Sequence, residues 1–496
     1  MHILFAASEA APYAKSGGLG DVIGSLPQAL KHAGQDVSVI LPLYSFMLDV
    51  EGAPNDRLRA QRAQFRDQMK LVAHFTVTVG WRHQECRLCM LTGAEGIPFY
   101  FVDNPYYFDR DQLYGYYDEA ERYIFFSQCV LAAIPYMGCV DIIHCHDWQT
   151  AAIPLLLHYS YASQPAYQSI HTVFTIHNLR FQGRFPASVV PDLLGLPAGL
   201  AQSEELEFYG DVNLMKAALY FADAITTVSP TYAREIRTLW YGEGLDGVLN
   251  RFSYKLTGIV NGLDMEAVNP VRDVHLAHPF SDYDGKMANK LAFQHEYALP
   301  EGTDKLMIGF ISRLDNQKGL DLIECVIRDV LRQDVQFVLL GTQAAAPGER
   351  KTHEDFFRQL ENDYRSQVRS FILFDVALAQ KIYAACDLFL MPSAFEPCGL
   401  SQMMAMRYGA LPLVRETGGL KDTVEPYNQF TQEGDGFSFD HYNAHDMLHV
   451  IEWAYDIYHH DRPSWEAMAR RAMAKDFGWQ QPAQAYIEVY EGLKTL

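Results

Sequence analysis

The chain has 496 residues, 49% of them hydrophobic and 20% charged, enough apolar material for more than one core and a length that favours two or more domains. Its 40 Lys and Arg against 61 Asp and Glu leave a formal net charge of −21. That balance excludes a general nucleic-acid or anionic-membrane binder, either of which needs a basic face, and makes the few cations set beside glycines candidate anion sites.

The N-terminal MHILFAASEA starts apolar but meets Ser8 and Glu9 at once and has no cleavage pattern, so it is expected to be a first strand and not a signal peptide. No stretch approaches the roughly 20 uncharged apolar residues of a membrane span. The eight cysteines are scattered, several inside apolar runs, which fits reduced cytosolic usage better than a disulfide framework. Cys86 and Cys89 form a lone CxxC without a second pair at zinc-site spacing.

Along the first half, short apolar runs alternate with helix-period segments: HILFAA and then GGLGDVIGSLPQALKHAG, DVSVILP, DIIHCHDW, VFTIHN, and AITTVS before SPTYAREI. The pattern restarts after KLTGIVNGLD and a polar stretch to about residue 300, with LMIGFISRL, GLDLIECVIRDVL, VQFVLLG, SFILF, LAQKIYAACD, LFLMPS and ALPLVRE. Apolar strands alternating with amphipathic helices predict parallel βαβ units, hence an α/β fold of two doubly wound domains whose strand-end loops border one cleft. The final FGWQQPAQAYIEVYEGL reads as an amphipathic helix that needs a surface to bury against.

Four clusters can carry chemistry. AKSGGLGDV, residues 14–22, follows the first strand: Gly17, Gly18 and Gly20 clear side chains from the backbone, Asp21 stands near a helix start, and Lys15 adds a charge. It is neither GxGxxG nor a P-loop, which weakens dinucleotide and ATPase readings, and a Gly-Gly also serves a plain tight turn. HCHDW and TIHN put Asp147, His177 and Asn178 at strand ends, where they can bind hydroxyls or simply cap a turn. SRLDNQKGLDL sets Arg313 and Lys318 five residues apart at another strand end, suited to a diphosphate or to solvent. In PSAFEPCGLSQ, Glu396 precedes Cys398, Gly399 and Leu400 at a helix start, and Thr417, Gly418 and Gly419 repeat the arrangement one strand later. Asp109-Arg110-Asp111 is a lone DxD within an aromatic loop, discounted as a metal signature, and that loop's aromatic residues suit either sugar stacking or packing.

These motifs, in this order and spacing, resemble the retaining bacterial glycogen synthases and plant starch synthases. The likeness runs through KSGGLGDV, HCHDW, FTIHNLRFQG, VSPTYAREI, GIVNGLD, SRLDNQKGLDL, FEPCGL and TGGL to the terminal FGW. It implies a GT-B fold with Rossmann-like domains over residues 1–258 and 259–476, and a helix from 477 to 496 crossing back to the first domain. It also implies glucosyl transfer from ADP-glucose to the non-reducing end of glycogen or another α-1,4-glucan, with retention, without metal or cofactor, and in the cytoplasm. Carried onto this chain, Lys15, Gly17, Gly18 and Asp21 would approach the donor, and Asp147, His177 and Asn178 the glucosyl group. Arg313 and Lys318 would neutralise the departing diphosphate while Glu396 holds sugar hydroxyls. Cys398, Gly399, Leu400, Thr417, Gly418 and Gly419 would border the donor, and Phe374 would lie near the nucleobase; Glu396, His177, Arg313 and Lys318 form the catalytic set.

Two departures stand out. Ser16 replaces a common threonine, and Met404 stands where related retaining transferases often place a second glutamate. The rival readings are a UDP-glucose-dependent glucan synthase, a Rossmann-type oxidoreductase, disfavoured by the missing GxGxxG, and a non-catalytic glucan-binding protein.

Overall fold

The computed structural model describes residues 1–53, 56–343 and 351–494. The chain divides into two compact units. The first holds Met1–Val228, Ala233–Gly262 and the segment from Trp479 on; the second holds Ser229–Tyr232 and Leu263–Gly478.

The strands of the first unit are β1 (His2–Ala6), β2 (Asp36–Pro42), β3 (Lys70–Val79), β4 (Arg82–Thr92), β5 (Pro98–Asp103), β6 (Ile142–His146), β7 (His171–Ile176), β8 (Arg184–Pro186), β9 (Glu207–Phe208), β10 (Asp211–Asn213), β11 (Ala224–Thr227) and β12 (Leu256–Gly258). Nine of them form one sheet in the order β12-β11-β7-β6-β1-β2-β5-β4-β3, while β8, β10 and β9 form a small antiparallel sheet of their own. From β12 to β5 every pairing is parallel. The Rossmann-like pattern expected from the sequence is therefore present, but β4 and β3 extend it as an antiparallel edge. These two read differently because β3 alternates polar and apolar with one face in solvent, whereas β1 and β6 are buried on both faces. The helix Gln480–Lys494 packs against the helix Gly18–His32 and buries Ala483, Tyr486, Ile487, Tyr490 and Leu493, an i, i+3, i+4, i+7 stripe.

The second unit contains β13 (Leu306–Ile311), β14 (Val335–Leu340), β15 (Val368–Phe371), β16 (Leu388–Met391), β17 (Leu411–Arg415) and β18 (Phe437–Phe439), all parallel, in the order β15-β14-β13-β16-β17-β18. The helix Leu320–Val330 shows why the segment folds so: Leu320, Ile323, Val326, Ile327 and Val330 line one buried face at helical spacing. The polar stretch before residue 300 includes the helix Tyr283–Glu296. Lys286 and Lys290 lie on its inner face, and both ammonium groups are fully buried.

Among the parallel strands of each sheet the strand order reverses direction once: between β1 and β6 in the first unit, and between β13 and β16 in the second. The crevice beyond the carboxyl ends of such a pair is where open α/β sheets bind ligands.

Candidate active site

In the first unit, three neighbouring parallel strands, β1, β6 and β7, deliver the candidate residues at their carboxyl ends. The loop after β1 carries Lys15 to Gly18. Asp147 follows β6 directly and His177 follows β7 directly.

The glycine loop rests on a carboxylate that the sequence reading did not single out. Glu9 is 3% exposed. It accepts hydrogen bonds from Ser16 N (2.5 Å), Ser16 Oγ (2.6 Å), Gly17 N (3.1 Å) and Tyr114 Oη (2.6 Å). The Gly17 N–H is thus turned inward and is not a donor for a ligand. Open donors begin at the helix Gly18–His32, whose N-cap Gly17 supplies no side-chain cap. A Cβ built on Gly17 or Gly18 would meet nothing within 4 Å, and Gly17 has an ordinary extended backbone at φ −155°. Neither packing nor conformation demands glycine there; what glycine gives is bare backbone facing outward. Lys15 Nζ reaches Asp21 Oδ1 at 2.6 Å in a half-exposed pair. Such pairs are worth only about 0–1 kcal/mol, so the ammonium can be taken over by an anionic ligand at small cost.

Asp147 sits at φ +56°, ψ −179°, a region that residues with side chains rarely occupy. Its Oδ1 accepts from the N–H of His177 (2.8 Å) and of Asn178 (3.4 Å), tying the β6 and β7 ends together. Burial raises the Asp147 carboxyl to about 7 against those two hydrogen bonds, which lower it. Burial also holds His177 down at about 3, so it is a neutral imidazole at ordinary pH. Asn178 Oδ1 caps the turn by accepting from Arg180 N at 3.1 Å.

In the second unit, the turn after β13 and the loop after β16 are locked together. Gly319 has φ +72°, and a Cβ there would stand 2.1 Å from the Pro392 carbonyl oxygen. Ala394 N donates to Gln317 O at 2.8 Å across the same junction. This close approach sets Lys318 Nζ 2.7 Å from Glu396 Oε2, which also accepts from Ser393 Oγ at 3.0 Å. The pair is largely shielded, with side-chain exposures of 16% and 9%. Arg313 is far more open and pairs loosely with Asp315 at 3.5 Å. Past Glu396, Cys398 is buried, and its carbonyl accepts from Gln402 Nε2 at 3.3 Å. Among the described residues, the N–H groups of Gly399 and Leu400 have no partner. The helix they precede, Ser401–Arg407, has only seven residues, so the local donors matter more than its dipole.

Thr417, Gly418 and Gly419 follow β17 and pack under the Glu396 loop. Gly419 N donates to the carbonyls of Glu396 (3.2 Å) and Pro397 (3.1 Å), so that donor is used internally. Phe374 is not brought to this group: it follows the edge strand β15, two strands from β13, and is 87% exposed. The Asp109–Asp111 segment is held by an ion pair of Arg110 with Asp118 at 3.0 Å, and neighbouring Tyr107 and Phe108 are fully buried packing residues. No group of three His, Cys, Asp or Glu placed to hold a metal occurs among the described residues.

The family described as starch synthase catalytic domain matches residues 2–251, and that described as glycosyl transferases group 1 matches residues 294–472. The glycogen synthase of Bacillus cereus is 46% identical over 500 residues, covering 99% of this chain and 100% of that one. The glycogen synthase of Geobacillus thermodenitrificans is 47% identical over 497 residues, with 99% and 98% covered. The chain belongs to the glycogen and starch synthase family of glycosyltransferases.

The fold agrees. The catalytic domain of starch synthase IV from Arabidopsis thaliana, a structure bound to ADP and acarbose, superposes with a TM-score of 0.87 at 35% identity, covering 99% of this chain and 98% of that one. Against this family background the structure adds residues that the motif reading passed over. Arg415, at the end of β17, donates to the carbonyls of Ser393 (3.1 Å) and Ala394 (2.7 Å) and so pins the loop that carries Glu396. Behind Asp147 and His177 lie two fully buried histidines, His144 and His146. A signal for them existed: in IIHCH the two histidines are two residues apart, hence on one face of a strand. Nothing local announces their neighbour Tyr490, 346 residues away in sequence from His144.

Proposed function

We propose that the protein transfers glucose from ADP-glucose to the non-reducing end of an α-1,4-glucan such as glycogen, with retention and without a metal. The observation that carries the reading is the Lys318–Glu396 pair at 2.7 Å, beside the unpartnered N–H groups of Gly399 and Leu400, at the strand reversal of the second unit. Breaking the glycosidic C–O bond builds negative charge on the departing diphosphate and positive charge on the sugar. Lys318 and the two N–H groups are fixed donors, joined by the more open Arg313, and all gain strength as that charge grows, so they favour the transition state over the bound ground state. Glu396 accepts hydrogen bonds from sugar hydroxyls while Lys318 balances its charge. In the first unit, Lys15 and the N–H groups from Gly18 onward serve the donor's phosphate side, with no side chain at Gly17 in the way, and Asp147 with His177 binds glucosyl hydroxyls. Retention follows a front-face route in which the leaving phosphate helps deprotonate the acceptor; trapping a glucosyl–enzyme adduct would overturn that step. All eight cysteines are free, in keeping with a cytoplasmic setting, and no described helix is long and apolar enough to cross a membrane.

The test uses purified protein with radiolabelled ADP-glucose or UDP-glucose and glycogen, beside Glu396→Ala and Lys15→Ala. Label entering glycogen from ADP-glucose, and its loss in both variants, supports the reading. Transfer from UDP-glucose alone replaces the donor, and transfer from neither overturns the function.

A further inference from the structure

His177 does not stand alone at the end of β7. Its Nε2 lies 3.0 Å from His146 Nδ1, with ring centroids 5.2 Å apart. One proton occupies that hydrogen bond, and its owner fixes what His177 shows to a ligand. His146 is wholly buried, and its Nε2 has no partner. If His177 donated through Nε2, a neutral His146 would have to carry its own proton on that sealed Nε2, an N–H with no acceptor. If His146 donates through Nδ1, its Nε2 is only an unused lone pair. Orphaned buried N–H groups are tolerated less than unsatisfied acceptors, so the second arrangement is favoured.

The surroundings close off the remaining choices. His144, 4.1 Å from His146 between ring centroids, uses both its nitrogens elsewhere, on Tyr490 Oη (2.8 Å) and Thr175 Oγ1 (2.6 Å). Phe5 stacks on His146 at 5.4 Å and 14°, and offers no polar atom. Burial disfavours the charged form of all three histidines, so none is expected to carry a second proton.

We propose that His146 is a positioning residue that donates Nδ1–H to His177 Nε2 and thereby locks His177 as the neutral Nδ1–H tautomer. His177 Nδ1 makes no hydrogen bond among the described residues, and the residue is partly accessible. His177 therefore presents a donor, aimed at a hydroxyl or phosphate oxygen, and has no free lone pair with which to act as a general base. The functional arm of this inference rests on the reading of His177 as a sugar-binding group; the tautomer itself does not.

The test is nitrogen NMR on the full chain labelled with 15N-histidine, with His177 assigned by loss of its signals in His177→Gln. The expected wild-type result at neutral pH is a protonated Nδ1 and a bare Nε2. A protonated Nε2, or a charged ring, overturns the proposal without His146 having to be altered. His146→Leu removes the donor and is expected to release His177 into a mixture of tautomers, with about a tenfold or greater fall in kcat/KM for the sugar nucleotide. His146→Asn, whose amide N–H2 can replace the Nδ1 donor, is expected to restore the Nδ1–H signal and recover activity relative to His146→Leu. An unchanged tautomer in His146→Leu would show that His146 does not set it. The expected tautomer in a protein that transfers no glucose would sink the proposed function alone.

Discussion

Gly17-Gly18 and Gly418-Gly419 spell the same dipeptide beside the two groups of candidate residues, yet each is there for a different physical reason. In the first unit a side chain at either position would enter open space. In the second, a Cβ on Gly418 would stand 1.9 Å from the Glu396 carbonyl oxygen, with φ at +46°, and one on Gly419 would stand 2.2 Å from the Cys398 carbonyl oxygen. The first pair leaves its own backbone bare, with no other part of the chain where a side chain would stand. The second lets one loop of the protein lie on another, and that stacking is what holds Glu396. A glycine motif therefore reports a close approach without saying whether the approaching group is ligand or chain.

Substitution separates the two cases. Gly418→Ala forces both a clash with backbone and a left-handed alanine, and is expected to cost at least ~3 kcal/mol and to abolish transfer, as measured by thermal unfolding and the glucan assay. Unchanged stability would remove the packing half of the contrast. Next in size, Lys318→Met is expected to lower kcat about 10²–10³-fold, because on the proposed function it deletes the cation that meets the leaving group, and it leaves Glu396 buried without its charge partner. The corresponding Lys15→Met in the exposed pair with Asp21 should leave the unfolding midpoint nearly unmoved while weakening donor use, and steady-state kinetics beside calorimetry would show the split. Gly17→Ala is expected to keep stability within about 0.5 kcal/mol, or raise it slightly through the unfolded chain, while kcat/KM falls about tenfold as the methyl occupies ligand space. Full activity in that variant would mean that the bare backbone serves no ligand.

The smallest effect concerns protons. Asp147 is raised to about 7 by burial, so between its unfolded value near ~3.9 and 7 the folded chain binds the extra proton, and rising pH takes away stability from this group. His177 is lowered to about 3, so between 3 and ~6.5 the unfolded chain binds the extra proton, and rising pH adds stability. The two slopes oppose each other at adjacent strand ends. Asp147→Asn should therefore steepen the rise of the unfolding midpoint between pH 4 and 6.5, and a slope equal to that of the unaltered chain would contradict the raised carboxyl.

Much of this was readable before any coordinates. A six-residue apolar run such as LMIGFI, bounded by turn residues, is short for a buried helix and reads as a strand covered on both faces, so motif residues that end it sit at the carboxyl edge of the sheet. Lys318 and Glu396 were singled out for their chemistry and do lie together. The direction of a backbone N–H was not readable: Gly17 looks like an open donor in sequence, and only the fold shows that Glu9 has taken it. The antiparallel edge made by β3 and β4 escaped because alternation marks a half-exposed strand without giving its direction. Tyr490 was beyond reach because its bond to His144 depends on how a helix from the far end of the chain is docked, which no local pattern encodes.

That docked helix has a consequence for how the protein comes into being. Synthesis proceeds from the N-terminus, and Gln480–Lys494 leaves the ribosome only after all of the second unit has been made. At about 5–20 residues per second, the interval between Gly262 and the helix is roughly 10–40 s. Throughout that time His144 has no Tyr490 hydroxyl to bond, and the face of the helix Gly18–His32 that Gln480–Lys494 covers has nothing against it. The first unit is thus the earlier to begin synthesis and the later to be completed, and a ribosome-bound chain stalled before Tyr490 would carry every motif residue without the finished support behind His177.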